Sequence, residues 1–318
     1  MREYALRRII LMIPTLLVVS MIIFTIMRLI PGDAAQILAI SGEDVEANQE
    51  LYLELRHSLG LDKPLPIQYA DWLWQLLQGD LGVSYWSNRP VLKQIMDRLP
   101  VTLELAIGSI VLGVTMAIPW GVGAAVWKDK MGDYVPRILA VLLVSMPNFW
   151  IGTMLVVFPA ILFKYSPPLG YISPTESLVG NFQQFAFAWF ALGSRLIGTT
   201  LRMTRSSMLE VLSQDYIRTA WSKGLRARSV FFQHALKNAM IPVITIVGGQ
   251  MAFLLGGSII VEAVFGLPGL GNLTIESIRQ RDYPQIQANV LFISVIVLAA
   301  NLLVDLSYAF FDPRIKYK

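Results

Sequence analysis

Residues 138–163 read ILAVLLVSMPNFWIGTMLVVFPAILF, with no charged side chain anywhere in the run. A helix rises about 1.5 Å per residue, so this stretch outreaches a bilayer core of about 30 Å. Working outward, five further stretches have the same character. Residues 9–30 carry only Arg28, near the end, and residues 101–126 only Glu104, near the start. Residues 182–201 carry Arg195, and residues 241–261 and 286–304 carry no charge. Backbone groups must be satisfied within each segment inside lipid, so such runs cross as helices. The pattern predicts an all-α polytopic membrane protein with six transmembrane helices. Arg195 is costly at membrane depth unless it faces protein or water. Five spans with a buried or interfacial fourth segment is therefore the rival count. Pro119, Pro147 and Pro159 are expected to kink their helices.

The composition agrees. Of 318 residues, 55% are hydrophobic and only 15% charged, and the mean hydropathy is +0.56. Soluble domains carry about 25% charged residues. The absence of Cys excludes a disulfide scaffold, thiolate metal sites and a Cys nucleophile. His57 and His234 are too few for a His-rich metal centre. Residues 1–8 are basic and precede an apolar run, as in a signal peptide. That run is longer than a signal core of about 7–15 residues, and Pro31-Gly32-Asp33 follows it instead of a small-residue cleavage site, so we expect an uncleaved first span.

Charge asymmetry sets the expected orientation. With a cytoplasmic N-terminus, residues 1–8, 127–137, 202–240 and 305–318 lie inside and hold 16 Lys and Arg. The outer segments, 31–98, 164–181 and 262–285, hold 8 in a longer length of chain. Basic residues concentrate on the cytoplasmic side of membrane proteins, so both termini are expected to be cytoplasmic. The chain then divides into residues 1–98 (first span and external loop), 99–308 (transmembrane core with a cytoplasmic loop at 202–240) and a tail at 309–318.

Two loops exceed what a connection needs. In the external loop, Leu51, Leu55 and Leu59 share a helical spacing that Gly60 and Asp62-Lys63-Pro64 end. Ile67, Tyr69, Trp72, Leu73, Leu76 and Leu77 form a second short amphipathic stretch, ended by Gly79-Asp80-Leu81-Gly82. Trp72, Trp74, Tyr85 and Trp86 suit the headgroup level. A cap on the span ends, a docking surface and a gate all remain open for this loop. In the cytoplasmic loop, Asp215 suits a helix start and Gly224 a left-handed helix end. Ile217, Trp221 and Leu225 fall on one face between them. A short helix of this kind fits a groove on a soluble partner. It equally fits a lipid surface with Arg and Lys against headgroups.

The segment Asp215-Tyr216-Ile217-Arg218-Thr219-Ala220-Trp221-Ser222-Lys223-Gly224-Leu225, followed by His234-Ala235-Leu236-Lys237-Asn238-Ala239-Met240-Ile241-Pro242, carries a resemblance. It resembles the cytoplasmic signature loop of ABC importer permeases, in the variant of the dipeptide, oligopeptide and nickel class. Other stretches resemble that class in the same order. These are Pro31-Gly32-Asp33, Gly60-Leu61-Asp62-Lys63-Pro64, Gly79-Asp80-Leu81-Gly82, Arg202-Met203-Thr204-Arg205-Ser206-Ser207-Met208, Val264-Phe265-Gly266-Leu267-Pro268-Gly269-Leu270-Gly271, Arg281-Asp282-Tyr283-Pro284 and Asp312-Pro313-Arg314. The first two are similar to the permease subunit with the long external first loop. Arg195 departs from the class, standing where apolar residues are common.

The resemblance implies the type I importer permease fold and a coupling role for Asp215, Tyr216, Ile217, Arg218, Thr219, Ala220, Trp221, Lys223, Gly224 and Leu225. These would dock on a cytoplasmic ATPase. It implies as partners a second homologous permease subunit, two ATP-binding cassette subunits, an extracytoplasmic substrate-binding protein and the lipid bilayer, with no nucleic acid. ATP and Mg would bind the partner subunits and no cofactor this chain, which has no Gly-x-x-x-x-Gly-Lys-Ser/Thr loop. The chain is then a non-catalytic subunit of an inner-membrane importer for peptides or similar small solutes. Whether these are dipeptides, oligopeptides, glutathione-like compounds, nickel chelates or sugar-derived solutes stays open. Arg195 is the candidate for the translocation pathway, against a structural pair or a snorkelling side chain. Gly248-Gly249 and Gly256-Gly257 are expected to allow close helix approach. The alternative function is an autonomous secondary carrier or channel. The acidic or His relays usual in such carriers are missing from the spans. An intramembrane enzyme would need paired catalytic groups, which the uncharged spans lack.

Overall fold

The computed structural model describes residues 2–29, 35, 36, 39, 48–168 and 170–311. Pro31-Gly32-Asp33, Asp312-Pro313-Arg314 and the end of the tail lie outside the described residues. Among those described, the elements are helices in the order α1 (Arg2–Leu29), α2 (Asn48–Ser58), α3 (Leu65–Leu77), α4 (Val91–Val126), α5 (Met131–Ser145), α6 (Asn148–Phe163), α7 (Leu178–Leu212), α8 (Asp215–Ser222), α9 (Ala227–Ser229), a π-helical turn (Val230–Ala235), α10 (Leu236–Phe265), α11 (Leu270–Gln280) and α12 (Tyr283–Phe311). An isolated bridge joins Val83 and Pro90.

Four helical stretches are long and apolar enough to cross a membrane, Leu6–Leu29, Val91–Val126, Ala227–Met251 and Tyr283–Val304, and the number rises to six if each bent helix pair is one span. One such pair is α5 and α6, bent by 106°. The stretch that reads as the plainest span is thus broken in the middle. Met146 adopts an extended backbone and Pro147 caps α6. A proline disfavours helical geometry in the residue before it and supplies no N–H of its own. The predicted fourth span falls in α7, which is not one of the apolar helices. Its environment explains this: α7 is largely surrounded by protein, so most of its surface needs no match to lipid.

The chain forms two compact units. One comprises residues 1–5, 101–267 and 299–318. Its core is built around α7, where Phe185, Ala188, Ala191, Leu192 and Leu196 pack with Val101 and Leu105 of α4, Ile151 of α6 and Leu254, Val261 and Phe265 of α10. Glycines let the helix backbones approach. A β-carbon on Gly198 would stand 2.6 Å from the Ala140 carbonyl oxygen, and one on Gly193 2.9 Å from that of Ser109. Of the Gly-Gly pairs read from the sequence, Gly249 and Gly256 have nothing within 4 Å of a β-carbon and Gly257 meets Leu192 at ordinary contact distance, so these three admit no neighbouring backbone within the described residues. Glu104 fastens the connection before α7, accepting hydrogen bonds from the Tyr171 hydroxyl (2.9 Å) and Asn181 Nδ2 (2.5 Å).

The other unit comprises residues 6–100 and 268–298. The two amphipathic stretches of the loop after the first span are α2 and α3. Phe24 of α1 packs against Tyr69 and Trp72 of α3, with centroids 5.2 and 6.0 Å apart, and Ser20 Oγ and the Tyr69 hydroxyl share a 2.8 Å hydrogen bond. Trp72 is therefore a packing residue, whereas Trp74 and Trp86 are exposed. Val91, Ile95, Leu270, Leu273 and Ala288 form one apolar cluster, and Met27, Tyr283 and Ile286 another. The buried Asp282 carboxylate accepts from Ser84 Oγ (2.5 Å) and from the Tyr85 amide (3.1 Å).

Candidate functional site: the loop around the short helix

The short helix α8 starts after Gln214, which has an extended backbone, so Asp215 is the first helical residue and not the cap. Its carboxylate still faces the positive end of the helix dipole. It lies 3.6 Å from Arg218, and both side chains are largely solvated, so this pair adds little. The other end matches its expected form. Gly224 has φ +72°, the Leu225 amide donates to the Ala220 carbonyl (3.4 Å) and the Gly224 amide to that of Trp221 (2.9 Å). This paired closure needs a left-handed residue, for which glycine has no steric penalty.

The apolar face divides. Ile217 (1% exposed) and Ala220 (6%) are buried with Val122, Ala125, Met208, Val230, Ala235 and Ala239. Tyr216, Trp221 and Leu225 stay exposed, at 42%, 44% and 37%. The single face expected for Ile217, Trp221 and Leu225 is thus split between an internal anchor and an external surface. Eight residues make only about two turns, and Leu225 lies beyond the helix end, so the drift of 3.6-residue periodicity suffices to separate them. The exposed residues are braced from behind. Asn238 Nδ2 donates to the Tyr216 hydroxyl (2.8 Å), and the Trp221 ring meets Phe231 edge-on at 5.9 Å. Phe231 belongs to the π-helical turn and Asn238 to the start of α10, so the segment that follows α8 in the chain supports it.

Charge counting alone missed the contact that ties α5 to the last part of α7. Arg205 Nε and Nη2 donate to the two oxygens of Asp133 at 2.5 and 2.7 Å, and Asp133 is fully buried. The Asp129 amide also donates to Asp133 (3.1 Å). The planar guanidinium matches a carboxylate at two points, giving both strength and orientation. The only sequence signal was Arg205 within Arg202–Met208, and nothing local pointed to Asp133.

Arg195 is exposed in an otherwise buried stretch of α7, with its guanidinium 4.7 Å from the centroid of the Phe253 ring. Along the same helix face, Thr199, Arg202 and Ser206 line a cleft of about 700 Å³, together with Arg137 and Met203. Thr199 Oγ1 accepts from Gln250 Nε2 (2.5 Å). Arg195 lies one turn before this cleft and does not line it. Of the α7 residues that line it, Arg202, Met203, Arg205 and Ser206 fall in the motif stretch Arg202–Met208, to which the sequence assigned no cleft, and Thr199 carried no signal.

A helical membrane protein with a cytoplasmic-type signature loop anchored to its own core has the form of a transporter's membrane component. The chain belongs to the family described as binding-protein-dependent transport system inner membrane component, which it matches over residues 117–317. Residues 1–106 match the associated N-terminal family of the same transport systems. It is 42% identical over 318 residues to the glutathione transport system permease protein GsiC of Salmonella choleraesuis (strain SC-B67), covering 100% of both chains. It is 39% identical over 317 residues to a protein of Brucella abortus (strain 2308) provisionally described as a peptide transport system permease protein, again with 100% of both covered. Among solved structures it resembles inward-facing forms of the MetNI methionine ABC transporter, with a TM-score of 0.56, 15% identity, and coverage of 69% of this chain and 96% of that one. The fold is that of an ABC importer permease, and the chain is a multi-pass inner-membrane component of a binding-protein-dependent transport system.

Proposed function

We propose that the chain is the non-catalytic permease subunit of a binding-protein-dependent importer that moves peptides or similar small solutes, including glutathione-like ones, by alternating access. Support for the substrate class comes from the full-length similarity to permeases described for glutathione and peptide transport. The observation that carries the coupling role is the split surface of α8: Ile217 and Ala220 root the helix in the chain's own core, while Tyr216, Trp221 and Leu225 remain uncovered. A helix meant only to cover its own protein would bury its aromatic residues. A rooted helix with exposed rings transmits a partner's movement to α7 and α10. Asp215, Arg218, Thr219 and Lys223 form the polar rim of that docking surface.

In this reading two ATP-binding cassette subunits dock on the loop at 202–240, and ATP with Mg binds to them and not to this chain. A second, homologous permease subunit completes the pathway, and an extracytoplasmic binding protein delivers the solute. Both termini are cytoplasmic, so the loop after the first span lies outside. ATP binding drives the switch only because the partners stabilise one state over the other. Arg195 contributes to the pathway.

Gentle-detergent purification at native expression level, with mass spectrometry of the eluate, tests the assembly. The expected result is a second permease subunit and one or two ATPase subunits in the eluate. A lone chain, with those subunits present in the cell yet absent from the eluate and from a crosslinked sample, would point to an autonomous carrier.

A further inference from the structure

A second cleft lies within the unit of residues 6–100 and 268–298, remote in sequence from the coupling loop. Its volume is about 270 Å³, and Arg28, Lys63, Gln68, Asp71, Tyr85 and Gln287 contribute to its lining. The Arg28 guanidinium is held from several sides. Its centre is 3.7 Å from the centroid of the Phe24 ring and 5.4 Å from that of Tyr283. Its Nε donates to Gln68 Oε1 at 3.0 Å. Gln68 is itself pinned, because its Nε2 donates to the carbonyls of Lys63 (2.8 Å) and Leu61 (3.3 Å).

That arrangement leaves a donor over. Arg28 Nη1 is buried and has no hydrogen-bond partner. Gln287 is 2% exposed, and its Nε2 is likewise buried and unpartnered. Buried polar atoms are nearly always hydrogen-bonded, so two orphan donors in residues lining one cleft ask for a shared acceptor. Charge points the same way. The Lys63 ammonium is neutralised by Asp71 at 2.9 Å, which leaves Arg28 as the uncompensated charge of the lining. Burial pushes the Tyr85 hydroxyl up to about 12, so that ring adds no negative charge at neutral pH. Arginine's fixed fork is suited to two-oxygen acceptors.

We propose that this cleft binds a small oxyanion, a carboxylate or a phosphate group, with Arg28 Nη1 and Gln287 Nε2 as its donors. The group can come from a free solute or from a lipid headgroup, which present the same oxygens. The inference does not rest on the importer reading, because it concerns equilibrium binding by this chain.

The test uses the full chain, purified once in a delipidating detergent and once in phosphatidylcholine nanodiscs. Each sample is titrated with inorganic phosphate and, separately, with N-acetylglycine, with chloride holding ionic strength constant. The thermal unfolding midpoint reports binding by mass action. A saturable rise is expected in detergent, with affinity reduced about tenfold or more by Arg28→Gln and by Gln287→Leu, while Lys93→Gln, an exposed charge elsewhere, stays within about twofold of wild type. Gln287→Leu carries a second signature that misfolding cannot imitate: without ligand its midpoint should rise, because an unpaired buried donor has been replaced by an apolar group. A rise that persists in nanodiscs identifies a free solute as the source. A rise lost in nanodiscs identifies the lipid phosphate, already in place. No saturable shift in either medium, or unchanged affinity in both Arg28→Gln and Gln287→Leu, overturns the proposal.

Discussion

At the scale of the residue, the loop around α8 separates side chains that hold it from side chains that present it. Ile217 is fully packed, so Ile217→Ala should destabilise the chain by about 2–5 kcal/mol through lost burial and a residual cavity. Trp221→Ala, at an exposed ring, should leave the unfolding midpoint within about 1 kcal/mol of wild type while reducing solute uptake. Thermal unfolding and uptake measured on both variants decide this. A midpoint loss for Trp221→Ala as large as that for Ile217→Ala would make Trp221 an internal packing residue. Gly224 is a different case. Nothing lies within 4 Å of where its β-carbon would be, so the constraint is the backbone at φ +72° alone. Gly224→Asp should cost about 1–2 kcal/mol in that closure, leave membrane insertion intact and abolish uptake. Normal uptake in that variant would remove Gly224 from the coupling role.

At the scale of the element, α5 is joined to α7 by apolar packing of Ala140 with Ile197 and Leu201 and by one ion pair whose Asp133 carboxylate is buried. Removing one partner leaves the other charge without compensation, a loss of about 3–5 kcal/mol. Asp133→Ala should therefore lower the denaturation midpoint sharply, and the paired apolar replacement Asp133→Leu with Arg205→Met should recover most of it. If the double variant is as unstable as the single one, the pair orients these helices in a way that apolar packing cannot replace. Elements also show why span reading works unevenly. Residues 9–29 of the first run and the runs at 101–126 and 286–304 fall within the continuous helices α1, α4 and α12. The run at 138–163 is as apolar as any, yet breaks at Met146-Pro147. Hydropathy reports the surroundings of a segment, while direction depends on two backbone residues.

At the scale of the whole molecule, α7 is the helix that separates two different surfaces of its unit. It carries the buried centre of its unit on one side and Arg195, Thr199, Arg202 and Ser206 on the other. Arg195→Ala is expected to change the concentration dependence of transport if that face lines the pathway, and initial-rate uptake over a range of solute concentrations reads it directly. An unchanged curve would confine Arg195 to its contact with Phe253.

The all-α membrane architecture, the position of the signature loop, the Gly224 closure and the two helices of the loop after the first span were legible in residues 1–318 as a string. Each depends on nearby residues: apolar run length, helical spacing, a glycine where the backbone turns left-handed. The partners of Arg205 and Glu104, the division of Ile217 from Trp221, the glycines that admit a neighbouring backbone and the orphan donors of Arg28 and Gln287 came only with the folded chain. These depend on which distant segment is packed alongside, as when Asp133 meets Arg205 or Arg28 meets Gln68 and Gln287 lines the same cleft. Local pattern decides how a segment folds, and the energy of a buried polar atom depends on neighbours that no local pattern contains.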